Sequence, residues 1–235
     1  MPSPTAARVG PVRAHSRDGF RIFIDFDNTI TIGDVLDGVI EKFAVGDRWR
    51  ELEIEWEAGK IGARDCLDGQ LRSLRAEWPE LTRHLDAVQL DPGFSALLTL
   101  ARREQIDLTI LSDNFDLLLG YILQRRGLGD VAFFGNHLER AADRFLPSFP
   151  FSNPDCPGCA HCKKTHFLPP NDDPRHVVYI GDGRSDLCPA RHADIVFAKA
   201  GLLKQLRAEQ VACHAFDGLA DVARVLEKIF HESQL

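Results

Sequence analysis

The sequence predicts an α/β protein: a Rossmann-like three-layer fold, with helices on both faces of a parallel sheet and a helical domain inserted after the first strand. Three observations predict it. From residue 91 onward, short apolar β-branched runs alternate with amphipathic segments of helical period, which is the pattern of a parallel sheet wound with helices. Between the first such run and residue 91 only helical spacing occurs. Three of the apolar runs end in carboxylates and hydroxyls, and ligands of open α/β sheets bind beyond the carboxyl ends of the strands. The expected organisation is a leader over residues 1–19, a catalytic core over 20–32 and 91–235, and a helical insert over 33–90.

In chain order, Arg21-Ile22-Phe23-Ile24-Asp25-Phe26 reads as a buried strand running into a loop. The insert follows. Val35, Val39, Ile40 and Phe43 share one helical face, Trp49, Leu52 and Trp56 a second, and Leu67, Leu71 and Leu74 a third, punctuated by Gly46, Gly59, Gly62 and Pro79. After Asp91-Pro92-Gly93 the spacing predicts a helix over 94–104, a strand over 107–111, a helix over 115–126 and a short strand over 131–134. An irregular proline-bearing stretch covers 147–162. A strand over 176–180, a short helix near 186–190 and strands over 194–198 and near 212–216 lead to a closing amphipathic helix carrying Leu219, Val222, Val225, Leu226 and Ile229.

A formal net charge of −7 argues against a non-specific nucleic-acid binder, which needs a basic surface to displace counterions. No apolar run approaches the roughly 20 residues of a membrane span. The first 18 residues carry prolines and arginines but no apolar h-region, so they read as a disordered leader or an arginine-bearing presequence, not a secretory signal. Six cysteines are too few for a disulfide scaffold in a chain of 235 residues. A cytoplasmic protein, monomeric or homodimeric, is expected.

The three strand-end motifs are Asp25-Phe26-Asp27-Asn28-Thr29, Ser112-Asp113-Asn114 and Gly181-Asp182-Gly183-Arg184-Ser185-Asp186. Each alone is weak: paired carboxylates often form a solvated turn, and Ser-Asp-Asn is a common helix cap. Together, in this order, they suit cleavage of a phosphomonoester, where catalysis rests on positioning and on neutralising phosphoryl charge. A carboxylate nucleophile, Asp25, is repelled by a phosphate dianion unless a cation intervenes. Asp25 and Asp182 can share a Mg²⁺, and Asp186, one helical turn on, can complete or orient its shell. Asp27 is suited to protonate the departing alkoxide and then to activate water. Ser112 can donate to one phosphoryl oxygen and a lysine can neutralise another. Thr29, Asp34, Asp113, Asn114, Gly183 and Arg184 are the candidate contacts to the small phosphate ester.

On these motifs, from about Phe20 to Phe230, the chain resembles the haloacid dehalogenase-like superfamily, which consists largely of phosphatases. The resemblance implies that Asp27 reaches the Mg²⁺ through its backbone carbonyl. An acid at Asp27 favours phosphate transfer over dehalogenation. The helical insert matches the cap domain of the phosphoserine-phosphatase-like branch (subfamily IB), which closes over the site. Cys156-Pro157-Gly158-Cys159-Ala160-His161-Cys162-Lys163-Lys164 resembles the cysteine-to-lysine junction of the methionine-salvage 2-hydroxy-3-keto-5-methylthiopentenyl-1-phosphate phosphatases and of the phosphoethanolamine and phosphocholine phosphatases. By that likeness Lys163, not Lys164, is the phosphate-binding lysine.

Several readings stay paired. Cys156, Cys159 and Cys162 are either a Zn²⁺ site, completed by His161, His166 or Cys188, or free thiols in a tight loop. Asp34, where phosphoserine phosphatases generally carry a glutamate, is either a substrate contact or the N-cap of the first insert helix. Trp49 and Trp56 form either core packing or an apolar wall for the leaving group. No histidine falls on a strand end with a partner, so none is assigned a catalytic role. The alternatives to a methionine-salvage-like phosphatase are an enzyme for phosphoserine or another amine-bearing ester, transfer to an alcohol acceptor, and a non-catalytic binding module on the same fold.

Overall fold

The computed structural model describes residues 19–156, 158–168 and 173–232, so the expected leader lies outside the described residues except for Gly19. Seven strands form one sheet in the order β4-β3-β2-β1-β5-β6-β7. The strands are β1 Phe20–Ile24, β2 Asp107–Phe115, β3 Ala132–Ala141, β4 Arg144–Ser148, β5 His176–Gly181, β6 Ile195–Ala198 and β7 His214–Ala215. All neighbours pair in parallel except β3 and β4. The chain moves outward from β1 through β2 and β3, then returns to β5 on the other side of β1. That reversal makes β1 the topological switch point, where a crevice opens at the strand ends.

Alternate residues of the strands face opposite layers. Ile22 and Ile24 of β1, Ile110 of β2 and Val178 and Ile180 of β5 pack in a core with α5 (Phe94–Arg103), α6 (Asp116–Arg125) and α9 (Leu219–Glu232). Phe23, Leu111, Val177 and Tyr179 face a second core with α7 (Leu187–Ala190) and α8 (Ala200–Ala208). Helix α9 shows why the periodicity worked: Leu219, Val222, Ala223, Leu226 and Phe230 form its buried stripe.

Between β1 and β2 lie α1 (Val35–Phe43), α2 (Arg48–Glu57), α3 (Ala63–Ser73) and α4 (Trp78–Leu85). The Asp34 side chain caps α1 by accepting from Asp37 N, and Pro79 sits in the first turn of α4. The apolar residues of this segment, including Val39, Ile40, Leu71, Leu81 and Leu85, join the same core as α5, α6 and α9.

Three elements differ from the sequence expectation. Strand β2 continues four residues past Leu111, through Ser112-Asp113-Asn114, so those groups lie inside the strand and α6 begins at Asp116. The expected short strand over 131–134 is the start of a hairpin, β3–β4, with His137 opposite Ser148 and Ala141 opposite Arg144. Its turn carries Ala142 at φ 57 and no glycine or Asn-Gly pair, so the usual turn signal is missing, and Pro147 sits on an edge strand where it is tolerated. The last strand shrinks to His214–Ala215.

Packing between α5 and α9 requires Gly93. A Cβ there would lie 2.1 Å from Ala220 N and 2.7 Å from Leu219 C, both backbone, and Asp91 Oδ1 ties the two segments by accepting from Gly93 N and Leu219 N. Gly93→Ala is therefore expected to cost about 3 kcal/mol, a Tm lowered by roughly 10 °C in thermal unfolding. An unchanged Tm would show that the helices can part without cost.

Candidate active site

Parallel register sets Ile24 level with Ile110 on one side and Ile180 on the other. The residues that follow each strand therefore emerge together. Asp25 N donates to Ile180 O at 2.9 Å, extending the β1–β5 ladder by one bond and pinning the Asp25 backbone. The chain then turns sharply. Thr29, Ile30 and Thr31 N all donate to Phe26 O, and Asn28 adopts φ 56.

Asp25 is buried, and its Oδ1 accepts from Lys163 Nζ at 2.6 Å. Lys163, 1% exposed on the 3₁₀ turn Lys163–His166, also donates to Asp186 Oδ1 at 2.7 Å and Ser185 Oγ at 3.2 Å. Lys164, its neighbour, is half-buried. Asp186 Oδ1 also accepts from the buried Tyr179 phenol at 2.6 Å. Its Oδ2 accepts from Asp182 N and Gly183 N at 3.0 and 3.1 Å. Thr29 Oγ1 donates to Asp182 Oδ1 at 3.3 Å.

Burial, then Asp186, push the Asp25 carboxyl well above the usual range, against the pull of Lys163. Burial and Asp186 likewise push Asp182 up to about 6. Burial disfavours the Lys163 cation, but Asp186 and Asp25 outweigh it and hold the ammonium charged. One lysine thus faces three carboxylates, and the surplus negative charge suits a divalent cation. Among the described residues, Asp25, Asp182 and Asp186 are the set whose ligand atoms lie within 4.8 Å of one another. An all-oxygen donor set of this kind fits Mg²⁺. Asp186 already serves four donors, which leaves Asp25 and Asp182 with the freer oxygens.

Asp27 occupies a different environment two residues away. Its Oδ1 accepts from Val35 N at 2.9 Å, and both oxygens accept from Asn114 Nδ2, at 3.2 and 3.0 Å. Ser112 Oγ approaches Oδ2 at 3.4 Å. Burial, then Asp34, raise Asp27 to about 7, against the hydrogen bond from Asn114. Ser112 Oγ accepts from Asn114 N at 3.0 Å, so the buried Asn114 aligns both Ser112 and Asp27. Asp113 Oδ1 accepts from His161 N at 2.9 Å. The arrangement offers one carboxylate beside a lysine ammonium, one carboxyl able to hold a proton near neutrality, and a hydroxyl beside the second.

The remaining expected residues separate. Asp34 Oδ1 accepts from Asp37 N at 2.9 Å and Oδ2 from Asn28 Nδ2 at 3.4 Å, so its carboxylate is occupied as the cap of α1. Gly183 lies beside the metal-suited trio through its N–H. The Arg184 guanidinium sits 5.2 Å from the Trp56 ring centroid, joining the strand-end loop to α2. Trp49 packs partly against the large core. Cys156 Sγ and Cys159 Sγ are 3.1 Å apart, and Cys162 Sγ accepts from Asn153. Two thiolates on one zinc stand about 3.8 Å apart, given Zn–S near 2.3 Å. Among the described residues the sulfurs of Cys156, Cys159 and Cys162 do not come within 4.8 Å of one another as a set. The zinc expectation finds no geometric support, and the six cysteines are free thiols.

The contacts made by Tyr179, Ser185, Asn136 and His161 were not anticipated from the sequence. A phenol within the aliphatic run Val177-Val178-Tyr179-Ile180 was the available signal for the first, since a buried hydroxyl needs a partner. Asn136 Nδ2 donates to Asp113 O at 2.6 Å from a strand with no motif. No helix among the described residues is long and apolar enough to cross a membrane.

A family model described as haloacid dehalogenase-like hydrolase matches residues 22–191. The chain is 29% identical over 218 residues to the 2-hydroxy-3-keto-5-methylthiopentenyl-1-phosphate phosphatase of Brevibacillus brevis, covering 90% of this chain and 96% of the relative. It is 26% identical over 223 residues to a polyol phosphate phosphatase of Saccharomyces cerevisiae, covering 88% and 92%. Among solved structures, a phospho-aspartyl intermediate analogue of phosphoserine phosphatase aligns with a TM-score of 0.64 at 17% identity, covering 91% of this chain and 99% of the other. At that identity the likeness establishes a shared fold.

Proposed function

The chain belongs to the haloacid dehalogenase-like hydrolases, and on that premise we propose that it is a Mg²⁺-dependent phosphomonoesterase working through a phosphorylated Asp25. The observation that carries this is the division between two carboxylates two residues apart. Asp25 faces Lys163 and belongs to the aspartate trio with Asp182 and Asp186, whereas Asp27 is held by Asn114 and raised to about 7.

In this reading Asp25 attacks phosphorus while Lys163 Nζ and Ser112 Oγ hold phosphoryl oxygens. Asp27 carries its proton on Oδ2, where the Ser112 contact is long, and delivers it to the departing alkoxide oxygen. As a carboxylate it then takes a proton from the water that hydrolyses the aspartyl phosphate. Asp25 and Asp182 would hold the Mg²⁺, which neutralises phosphoryl charge, and Asp186 would orient Lys163 and the Asp182 loop. The insert 33–90 acts as the cap over the leaving group, touching the core loop through Trp56 and Arg184.

The substrate proposed is a small phosphorylated metabolite, the methylthiopentenyl phosphate named for the Brevibacillus relative being first choice. The capping role of Asp34 weighs against an amine-bearing ester, because its carboxylate is already committed. Turnover of p-nitrophenyl phosphate with Mg²⁺, abolished by EDTA and restored by added Mg²⁺, is expected. Metal-replete protein inactive on a broad phosphoester panel would favour the binding-module reading.

A pH profile tests the role of Asp27. The first step needs its protonated form, so kcat/KM should fall about tenfold per pH unit above roughly 7. Asp34→Asn keeps a capping side chain but removes a charge that raises Asp27. The alkaline limb should therefore move to lower pH; an unmoved limb would assign it to another group.

A further inference from the structure

Lys163 reaches the site on a single 3₁₀ turn, and such turns are short and weakly held. Its bonds to Asp25 and Asp186 cannot be what positions the loop during turnover, because the ammonium must turn at least partly toward an arriving phosphoryl oxygen. A tie that does not face substrate is needed, and His161 supplies one. This side chain is 1% exposed, two residues before Lys163. Its Nδ1 lies 2.8 Å from Ser112 O, and its backbone N donates to Asp113 Oδ1. Its Nε2 lies 2.6 Å from His166 Nε2.

The protons follow from the partners. A carbonyl oxygen only accepts, so His161 Nδ1 carries hydrogen and donates to Ser112 O. In a neutral imidazole Nε2 is then the acceptor, and His166 Nε2 must donate to it. The rings are confined as well: Phe151 stacks on His161 at 4.8 Å and 22°, and Phe134 lies 4.5 Å from His166. Burial favours the same neutral state for both histidines.

We propose that His161 is a positioning residue that sets Lys163 Nζ relative to Ser112 Oγ, with His166 fixing its tautomer. The inference rests on the reading that Ser112 and Lys163 bind the phosphoryl group. It assigns the Lys163 loop and the β2 end to one rigid unit, joined through the carbonyl of the very residue whose hydroxyl is used. A misplacement near 1 Å at such a pair is worth about 100-fold in rate.

The test compares His161→Ala, His161→Asn and His166→Phe in the full chain with saturating Mg²⁺, reading kcat and KM for p-nitrophenyl phosphate and the inhibition constant of inorganic phosphate. His161→Ala should lower kcat/KM by about 30-fold or more and weaken inorganic phosphate about 10-fold. His161→Asn offers Nδ2–H in place of Nδ1–H and should recover to within about threefold. His166→Phe keeps an aromatic ring but loses the donor, and should fall between. A folded His161→Ala enzyme with wild-type kcat/KM and phosphate inhibition overturns the proposal. So does an Asn variant no better than Ala. If the Ala variant fails to fold, the Asn and Phe variants decide, and equal activity in both overturns it. Unimpaired turnover by Ser112→Ala and Lys163→Met would instead bring down the underlying phosphate-binding reading, whatever His161 does.

Discussion

Asp25→Asn is expected to lower turnover of any phosphoester by at least about 10⁴-fold, roughly 5.5 kcal/mol in the barrier. The amide keeps the shape but cannot open a bond to phosphorus, and nothing else near Lys163 substitutes for it. Asp186 is fixed by Tyr179, Lys163 and two backbone N–H groups, and Asp27 faces Asn114. Folding should survive. Asp25 is buried with its carboxyl pushed well above its ordinary range, so the charge is unfavourably placed, and the change leaves Lys163 its partners Asp186 and Ser185. Thermal unfolding should show a Tm at or above that of the parent chain. Acid-quenched parent enzyme should carry one phosphoryl group that the variant lacks. An active Asp25→Asn enzyme would sink the nucleophile assignment.

Lys163→Met should damage both function and stability. It removes the buried cation that pairs with Asp25 at 2.6 Å and Asp186 at 2.7 Å. Breaking a buried pair from one side costs about 3–5 kcal/mol, a Tm lower by roughly 10 °C in a chain of this size. Losing the phosphate contact should lower kcat/KM about 10³-fold. The sign of the pH response is distinctive. Without the ammonium, the Asp25 carboxyl in the folded state is raised further above its unfolded value. A raised group contributes stability at low pH and loses it as pH climbs through the folded pKa. The stability deficit of Lys163→Met should therefore narrow as pH falls from 7 to 5. A deficit constant across that range would mean that the lysine packs without balancing charge. Lys164→Ala, at the neighbouring half-buried position, should leave both readouts close to the parent.

The fold was legible where burial imposes a period. Residues 22–24 of β1 and 177–180 of β5 are continuous runs of large, mostly apolar side chains because both strand faces are covered, and α9 repeats at the helical period because one stripe is buried. The β3–β4 hairpin was not legible, since its Ala142-Asp143 turn has no glycine or Asn-Gly pair and its second strand carries Pro147. The extension of β2 through Ser112 was hidden for a related reason. Polar residues look like a strand end, yet here they span an irregularity within β2, between the pairings Leu111–Phe134 and Phe115–Asn136, where the register with β3 shifts.

The candidate site divides along the same line. Asp25 and Asp27, or Asp182 and Asp186, are two and four residues apart, and strand and turn geometry place such neighbours with little help from the rest of the chain. Sequence alone therefore determined the aspartate motifs, their place at strand ends, and the parallel sheet that gathers them. The three-dimensional packing decided the partners. Lys163 meets Asp25 across 138 residues, Asn114 meets Asp27 across 87, and His161 meets Ser112 across 49. It also bears on the paired readings: the Asp34 carboxylate caps α1, and among the described residues the ligand set that comes together is the aspartate trio and not the Cys156–Cys162 sulfurs. The physical reason is that a buried charge or hydrogen-bonding group must be satisfied by whatever the fold brings within about 3 Å. No local pattern encodes which distant residue that will be.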